Sequence, residues 1–83
     1  MTSTIRATRM KMLQNEADVL RNKNSFKEAV SAYLNSVLID RNNADSYLGL
    51  GICYKNLGKI KKAIECLEKA ALLDNEKFDT FYE

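Results

Sequence analysis

The residues able to do chemistry in this chain are few, and their spacing decides what each can do. Cys53 and Cys66 stand thirteen residues apart in a sequence without histidine, so thiols and imidazoles cannot assemble a four-ligand zinc site. They are expected to be two reduced cysteines, with one, Cys53 beside Tyr54, on the packing side of its helix. Glu16 and Asp18 are two apart, which on a helix turns them to different sides rather than into one site. Glu65 and Glu68 are three apart and flanked by Lys61, Lys62 and Lys69, the pattern of an outer face with i, i+4 ion pairs. Lys59, Lys61 and Lys62 read as a solvated face. Gly49 and Gly51 sit inside a helical pattern and Gly58 ends it, so the glycines build no phosphate-cradling loop. Acid-base, nucleophilic and metal-assisted catalysis each lack a residue to start from. No enzyme activity, metal or cofactor is therefore expected.

Composition narrows the class further. Eighty-three residues make one small domain, and no proline with 3 glycines leaves long stretches free to be helical. A net charge of +2 gives little phosphate affinity, which argues against nucleic acid as a partner. No apolar run approaches the roughly 20 residues that span a bilayer, and the N-terminus has no apolar signal core. A cytoplasmic protein without membrane contact is expected.

Apolar spacing gives the elements. Tyr47, Leu50, Gly51 and Tyr54 recur at i, i+3, i+4 and i+7, one face of a helix. Ile60, Ala63, Ile64, Leu67, Ala70 and Ala71 repeat the period beyond Gly58, so two helices fold back on each other with small residues facing large ones. Upstream, a helix from about residue 4 to 22 starts at a Ser3 or Thr4 cap and buries Ile5, Met10, Met12 and Leu13. The basic residues Arg6, Arg9 and Lys11 are read as its solvated face. Asn24 tolerates the left-handed conformation of a helix end, and Ser25 with Glu28 has capping-box spacing. A second helix follows from Phe26 to Asp40 through Ala29, Val30, Tyr33, Val37 and Leu38. RNNAD then turns the chain, with Asn43 or Asp45 to cap the next helix.

The two halves repeat at an offset of thirty-four residues. It pairs Leu13 with Tyr47, Ala17 with Gly51, Asn24 with Gly58, Ala29 with Ala63, Tyr33 with Leu67 and Asp40 with Asp74. Glu16 at the place of Leu50 and Ser36 at the place of Ala70 make the first copy weaker, and Glu16 suits an end repeat with one side in water. In period and in its large and small positions, Tyr47, Leu50, Gly51 and Tyr54, then Ala63, Leu67 and Ala70, the pattern resembles the tetratricopeptide repeat. Asn75 stands where that family usually has a closing proline. The fold expected is all-α, with two tandem helix hairpins in one helical-repeat domain. Repeat one covers about 10–43 and repeat two about 44–77, while 78–83 begin a third copy or a capping segment.

The resemblance implies a protein-protein interaction scaffold that holds a peptide or partner protein on a concave groove formed by the first helix of each hairpin. Carried onto this sequence, the groove is lined by Lys11, Gln14, Asp18 and Arg21, and by Asp45, Leu48, Ile52, Lys55 and Asn56. Leu48 and Ile52 are large aliphatics one turn apart and outside the packing seam, as a peptide-binding floor requires, although contact with a further repeat also accounts for them. One branch of the family grips acidic C-terminal tails with lysine, asparagine and arginine. Gln14, Asp18, Gly49, Asp79 and Glu83 stand at the corresponding places and match none of these. Phe78, Phe81 and Tyr82 at the C-terminal end provide an apolar surface for self-association into a homo-oligomer. Two alternatives remain open: a structural self-association segment of a longer array, and a regulatory domain attached to an enzyme.

Overall fold

Two turns of the same internal geometry set the layout of the chain. The computed structural model describes the backbone of residues 2–82 and the side chains of residues 5–74. Four helices follow one another: α1 (Thr2–Asn22), α2 (Phe26–Ile39), α3 (Ala44–Asn56) and α4 (Ile60–Tyr82). After α1 the Ser25 amide donates to the Leu20 carbonyl at 2.8 Å and the Asn24 amide to Arg21 at 2.9 Å. Thirty-four residues on, the Lys59 amide donates to Tyr54 at 2.8 Å and Gly58 to Lys55 at 3.1 Å. Both pairs are Schellman motifs, which need a left-handed residue just past the helix. Asn24 supplies it at φ 66° and Gly58 at φ 80°. The sequence repeat is thus also a repeat of backbone conformation.

The expected Ser25–Glu28 capping box does not form. Ser25 is the N-cap of α2, but it also closes the α1 turn, and its side chain makes no capping hydrogen bond at φ −85°, ψ 66°. Between α2 and α3 the Asn42 amide donates to the Asp40 carboxylate at 3.0 Å. Asn43 is the cap of α3, accepting from the Ser46 amide at 3.3 Å, so of the two candidates it and not Asp45 starts this helix.

The helices pack in chain order, α1 on α2, α2 on α3 and α3 on α4, with α1 also touching α3. Ala17, Ala29, Ala32 and Ala63 surround Tyr33, Leu50, Cys53 and Tyr54 in the core. Small residues let the axes approach and large ones fill the gaps that remain. At Gly51 a Cβ would stand 2.6 Å from Leu67 Cδ2 and 3.4 Å from the Ala63 carbonyl, so α4 lies hard against the glycine. Lys62 Nζ sits 5.6 Å from the Tyr54 ring centre and Lys69 Nζ 6.0 Å from that of Tyr47, clasping α3 to α4 from outside. The expected i, i+4 ion pairs of α4 do not form: among the described residues no lysine of α4 pairs with Glu65 or Glu68, and Arg21–Asp18 at 3.9 Å is the ion pair present.

Several apolar positions differ from the expectation. α1 begins at Thr2, so Ser3 and Thr4 lie inside the helix instead of capping it. Ile5 and Met12 face water at 59% and 67% exposure, whereas Met10 and Leu13 are half-buried. The inward row of α4 is the buried Ala63, Ala70 and Leu73 with the half-buried Cys66, while Ile60, Ile64 and Ala71 point outward, as Leu38 does from α2. The repeat explains much of this. Ala71 matches the buried Val37, and Met12 matches the buried Ser46, so each lies on a flank that the other copy has covered. α4 also passes Asn75, where the offset expects a turn, and continues to Tyr82. Lys77 stands at the place of Asn43, and lysine has no acceptor with which to cap a helix. The Phe78, Phe81 and Tyr82 side chains lie outside the described residues. Among the described residues, no helix is long and apolar enough to cross a membrane.

Candidate partner-binding face

Two rows of side chains in equivalent register line the side of α1 and α3 assigned to a groove. Lys11, Gln14, Asp18 and Arg21 on α1 match Asp45, Leu48, Ile52 and Lys55 on α3 at the repeat offset. Asn56 closes the α3 row, its Nδ2 donating to the Ile52 carbonyl of its own helix at 2.8 Å. Lys11, Asp45, Lys55 and Asn56 are exposed, Leu48 is 46% exposed, and Gln14, Asp18, Arg21 and Ile52 are half-buried. The middle of this side is therefore apolar on α3, at Leu48 and Ile52, and polar on α1.

The α1 row is held in place from beneath. Asn43 Nδ2 donates to Gln14 Oε1 at 3.0 Å and to Ser46 Oγ at 2.9 Å, and it lies 2.9 Å from Met10 Sδ. Ser46 Oγ in turn meets Ser36 Oγ at 2.9 Å. No buried side-chain polar atom among the described residues is left without a partner. Asp18 accepts a hydrogen bond from the Tyr33 hydroxyl. Arg21 pairs with Asp18 and lies 6.0 Å from the centre of the Tyr33 ring. One buried tyrosine of α2 thus fixes both an acid and a base of the α1 row.

Sequence reasoning missed Tyr33 and Asn43 in these roles. Ser36, read as a weak match to the repeat, is wholly buried and belongs to the Asn43 network. The signal was three polar residues, Ser36, Asn43 and Ser46, at positions facing the hairpin junction. Gly49 stands inside a helical pattern and at one of the places of the acidic-tail contacts, and neither reading points to its packing role, yet a Cβ there would penetrate the Tyr33 ring. Its absence lets that ring cross from α2 to α3.

The titratable groups nearby are tuned away from reactivity. Burial pushes the Tyr33 hydroxyl above its ordinary range, assisted by the bond to Asp18 and its charge, with Arg21 opposing. Burial likewise raises the thiols of Cys53 and Cys66 and the hydroxyl of Tyr54. Cys53 is buried, Cys66 is half-buried, and both are free thiols. Raised thiols are poor nucleophiles at neutral pH. Among the described residues, no three of His, Cys, Asp and Glu come together as a metal site.

Stacked antiparallel hairpins with their first helices side by side define a helical-repeat architecture. A TPR repeat profile matches residues 17–58, half of the chain, and a tetratricopeptide repeat profile matches residues 44–76. The chain belongs to the tetratricopeptide repeat family. It is also similar, at 33% identity over 58 residues, to the probable UDP-N-acetylglucosamine-peptide N-acetylglucosaminyltransferase SPINDLY of Arabidopsis thaliana. That stretch covers 70% of this chain and 6% of SPINDLY.

Proposed function

We propose that this chain is a protein-protein interaction scaffold that takes a peptide or partner protein on the face shared by α1 and α3. Leu48 carries the proposal. It is a large aliphatic left nearly half exposed, one turn from Ile52 and between the charged Asp45 and Lys55. Beside it the α1 row offers Lys11 and Arg21 with Asp18 between them, Asp18 and Arg21 already positioned by Tyr33. A partner segment suited to this face places an apolar side chain on Leu48 and Ile52 and carries both signs of charge around it. Acidic C-terminal tails are unsuited, because Asp18 and Asp45 put negative charge along the path.

Peptides selected against the chain from a random display library, then titrated calorimetrically, test this face. Leu48→Asp and Ile52→Asp are expected to weaken the selected peptides at least about tenfold. Binders indifferent to both substitutions would place recognition elsewhere, and micromolar binding of an acidic C-terminal peptide would count against the assigned charges.

The similarity to a small part of SPINDLY favours a second reading, a repeat segment attached to an enzyme and regulating it; sequencing the full reading frame tests that directly. The outward Ile64 and the half-buried Cys66 on the open flank of α4 favour a third, association through the C-terminal end with Phe78, Phe81 and Tyr82. Light scattering of a Phe78→Ser, Phe81→Ser variant tests it, since an unchanged mass would remove that end from any interface.

A further inference from the structure

The outer side of α1 carries a shallow apolar groove lined by Ile5, Thr8, Arg9, Met12, Leu13 and Glu16. Ile5, Met12 and Val19 recur every seven residues, and Val19 is 51% exposed. A seven-residue recurrence holds one seam along a helix, here turned away from the Lys11, Gln14, Asp18 and Arg21 row. Arg9 and Glu16, both exposed, border the same edge of this seam, three residues before Met12 and four after it.

A seam with this layout is complementary to itself when turned end for end. Met12 meets Met12, Ile5 meets Val19, and Arg9 meets Glu16 on the shared edge. We propose that α1 pairs antiparallel with α1 of a second copy, about a two-fold axis near Met12.

Glu16 selects this occupant over another stacked hairpin. Its counterpart Leu50 is 1% exposed beneath the first hairpin, with Ser46 and Cys53 equally covered. A hairpin placed on α1 in the same manner would bury the Glu16 carboxylate at the place of Leu50, at a high desolvation cost. Across two crossing helices the carboxylate stays at the rim, opposite a guanidinium. The proposal does not depend on what the α1 and α3 face binds.

Such a contact is small, under about 1,200 Å², so the dimer is expected to be weak and to be populated at high protein concentration. Sedimentation equilibrium up to several hundred micromolar, with circular dichroism to confirm folding, reads it. The parent is expected to approach the mass of two chains. Arg9→Glu and Glu16→Arg each set like charges against each other and are expected to remain monomeric. An equimolar mixture of those two variants, and the doubly substituted chain, are expected to dimerise again because both restore opposite charges. A parent monomeric at every concentration would overturn the proposal. So would a dimer indifferent to both single reversals, or a mixture of monomeric variants that fails to associate.

Discussion

At the residue scale, the tightest constraint is a missing side chain. Gly49 and Gly51 lie two residues apart on α3, on opposite sides of the helix, so what each faces differs. Tyr33, wholly buried and bonded to Asp18, cannot retreat from a Cβ at Gly49, whereas Leu67 is 37% exposed and can swing away from one at Gly51. Gly49→Ala is therefore expected to cost about 1–3 kcal/mol by overpacking. Gly51→Ala is expected to cost less, because the gain in helix propensity of roughly 1 kcal/mol offsets the displacement. Urea titrations of the two variants check the order, and equal losses would contradict this account of Tyr33. The same tyrosine sets a pH dependence. Its folded pKa lies above the ordinary value, so the stability it contributes is complete at lower pH and is lost as pH rises. The unfolded chain releases this proton from about pH 10 and its thiols from about pH 8.5, while the folded chain keeps them longer. Denaturation midpoints are expected to fall above about pH 8.5, with a shallower fall in Tyr33→Phe above about pH 10. A midpoint that holds constant through that range would argue against burial of these groups.

At the scale of elements, turns were more legible than faces. A turn is specified by local chemistry: Asn24 and Gly58 announce left-handed helix ends, and Asn43 announces a cap, whatever packs around them. Gly58 has nothing within 4 Å of where a Cβ would stand, so Gly58→Ala meets only backbone strain. It is expected to cost about 1 kcal/mol, and Asn24→Gly to gain a fraction of that, as the two left-handed sites are equivalent. Thermal melts showing no loss for Gly58→Ala would mean the turn had been replaced by another. Burial is not local. Ile5, Met12, Ile60 and Ile64 have the residue types of a core, and only the arrangement of neighbouring helices reveals that nothing described covers them. The reverse holds for Ser36 and Ser46, whose residue types suggest surface although the hairpin junction encloses them. For the candidate face, the family resemblance gave the rows on α1 and α3 and spacing kept Leu48 and Ile52 out of the seam, but neither gave the support beneath, since Asn43 reaches Gln14 across twenty-nine residues of sequence.

At the scale of the whole molecule, the two hairpins communicate through one junction. The α3 backbone lies close to those of α1, α2 and α4, whereas the backbones of α1 and α2 do not come close to that of α4 among the described residues. The junction holds the Tyr33 ring over Gly49 and the Ser36, Asn43 and Ser46 network. Asn43→Ala removes a helix cap and the hub of that network together, and is expected to cost about 1–2 kcal/mol. The loss is expected to fall unevenly, with amide exchange in α1 and α2 accelerating more than in α3 and α4. Uniform acceleration along the chain would instead indicate a single cooperative unit. Contact mainly between successive helices has a further consequence, for speed. Most helix pairs meet across one short turn, so the chain closes few long loops on the way to its native state. The search is short and local, and folding is expected in the microsecond to millisecond range typical of low contact order. Because each repeat packs mainly on its neighbour, lengthening such a chain by another thirty-four residues is expected to leave that search little changed.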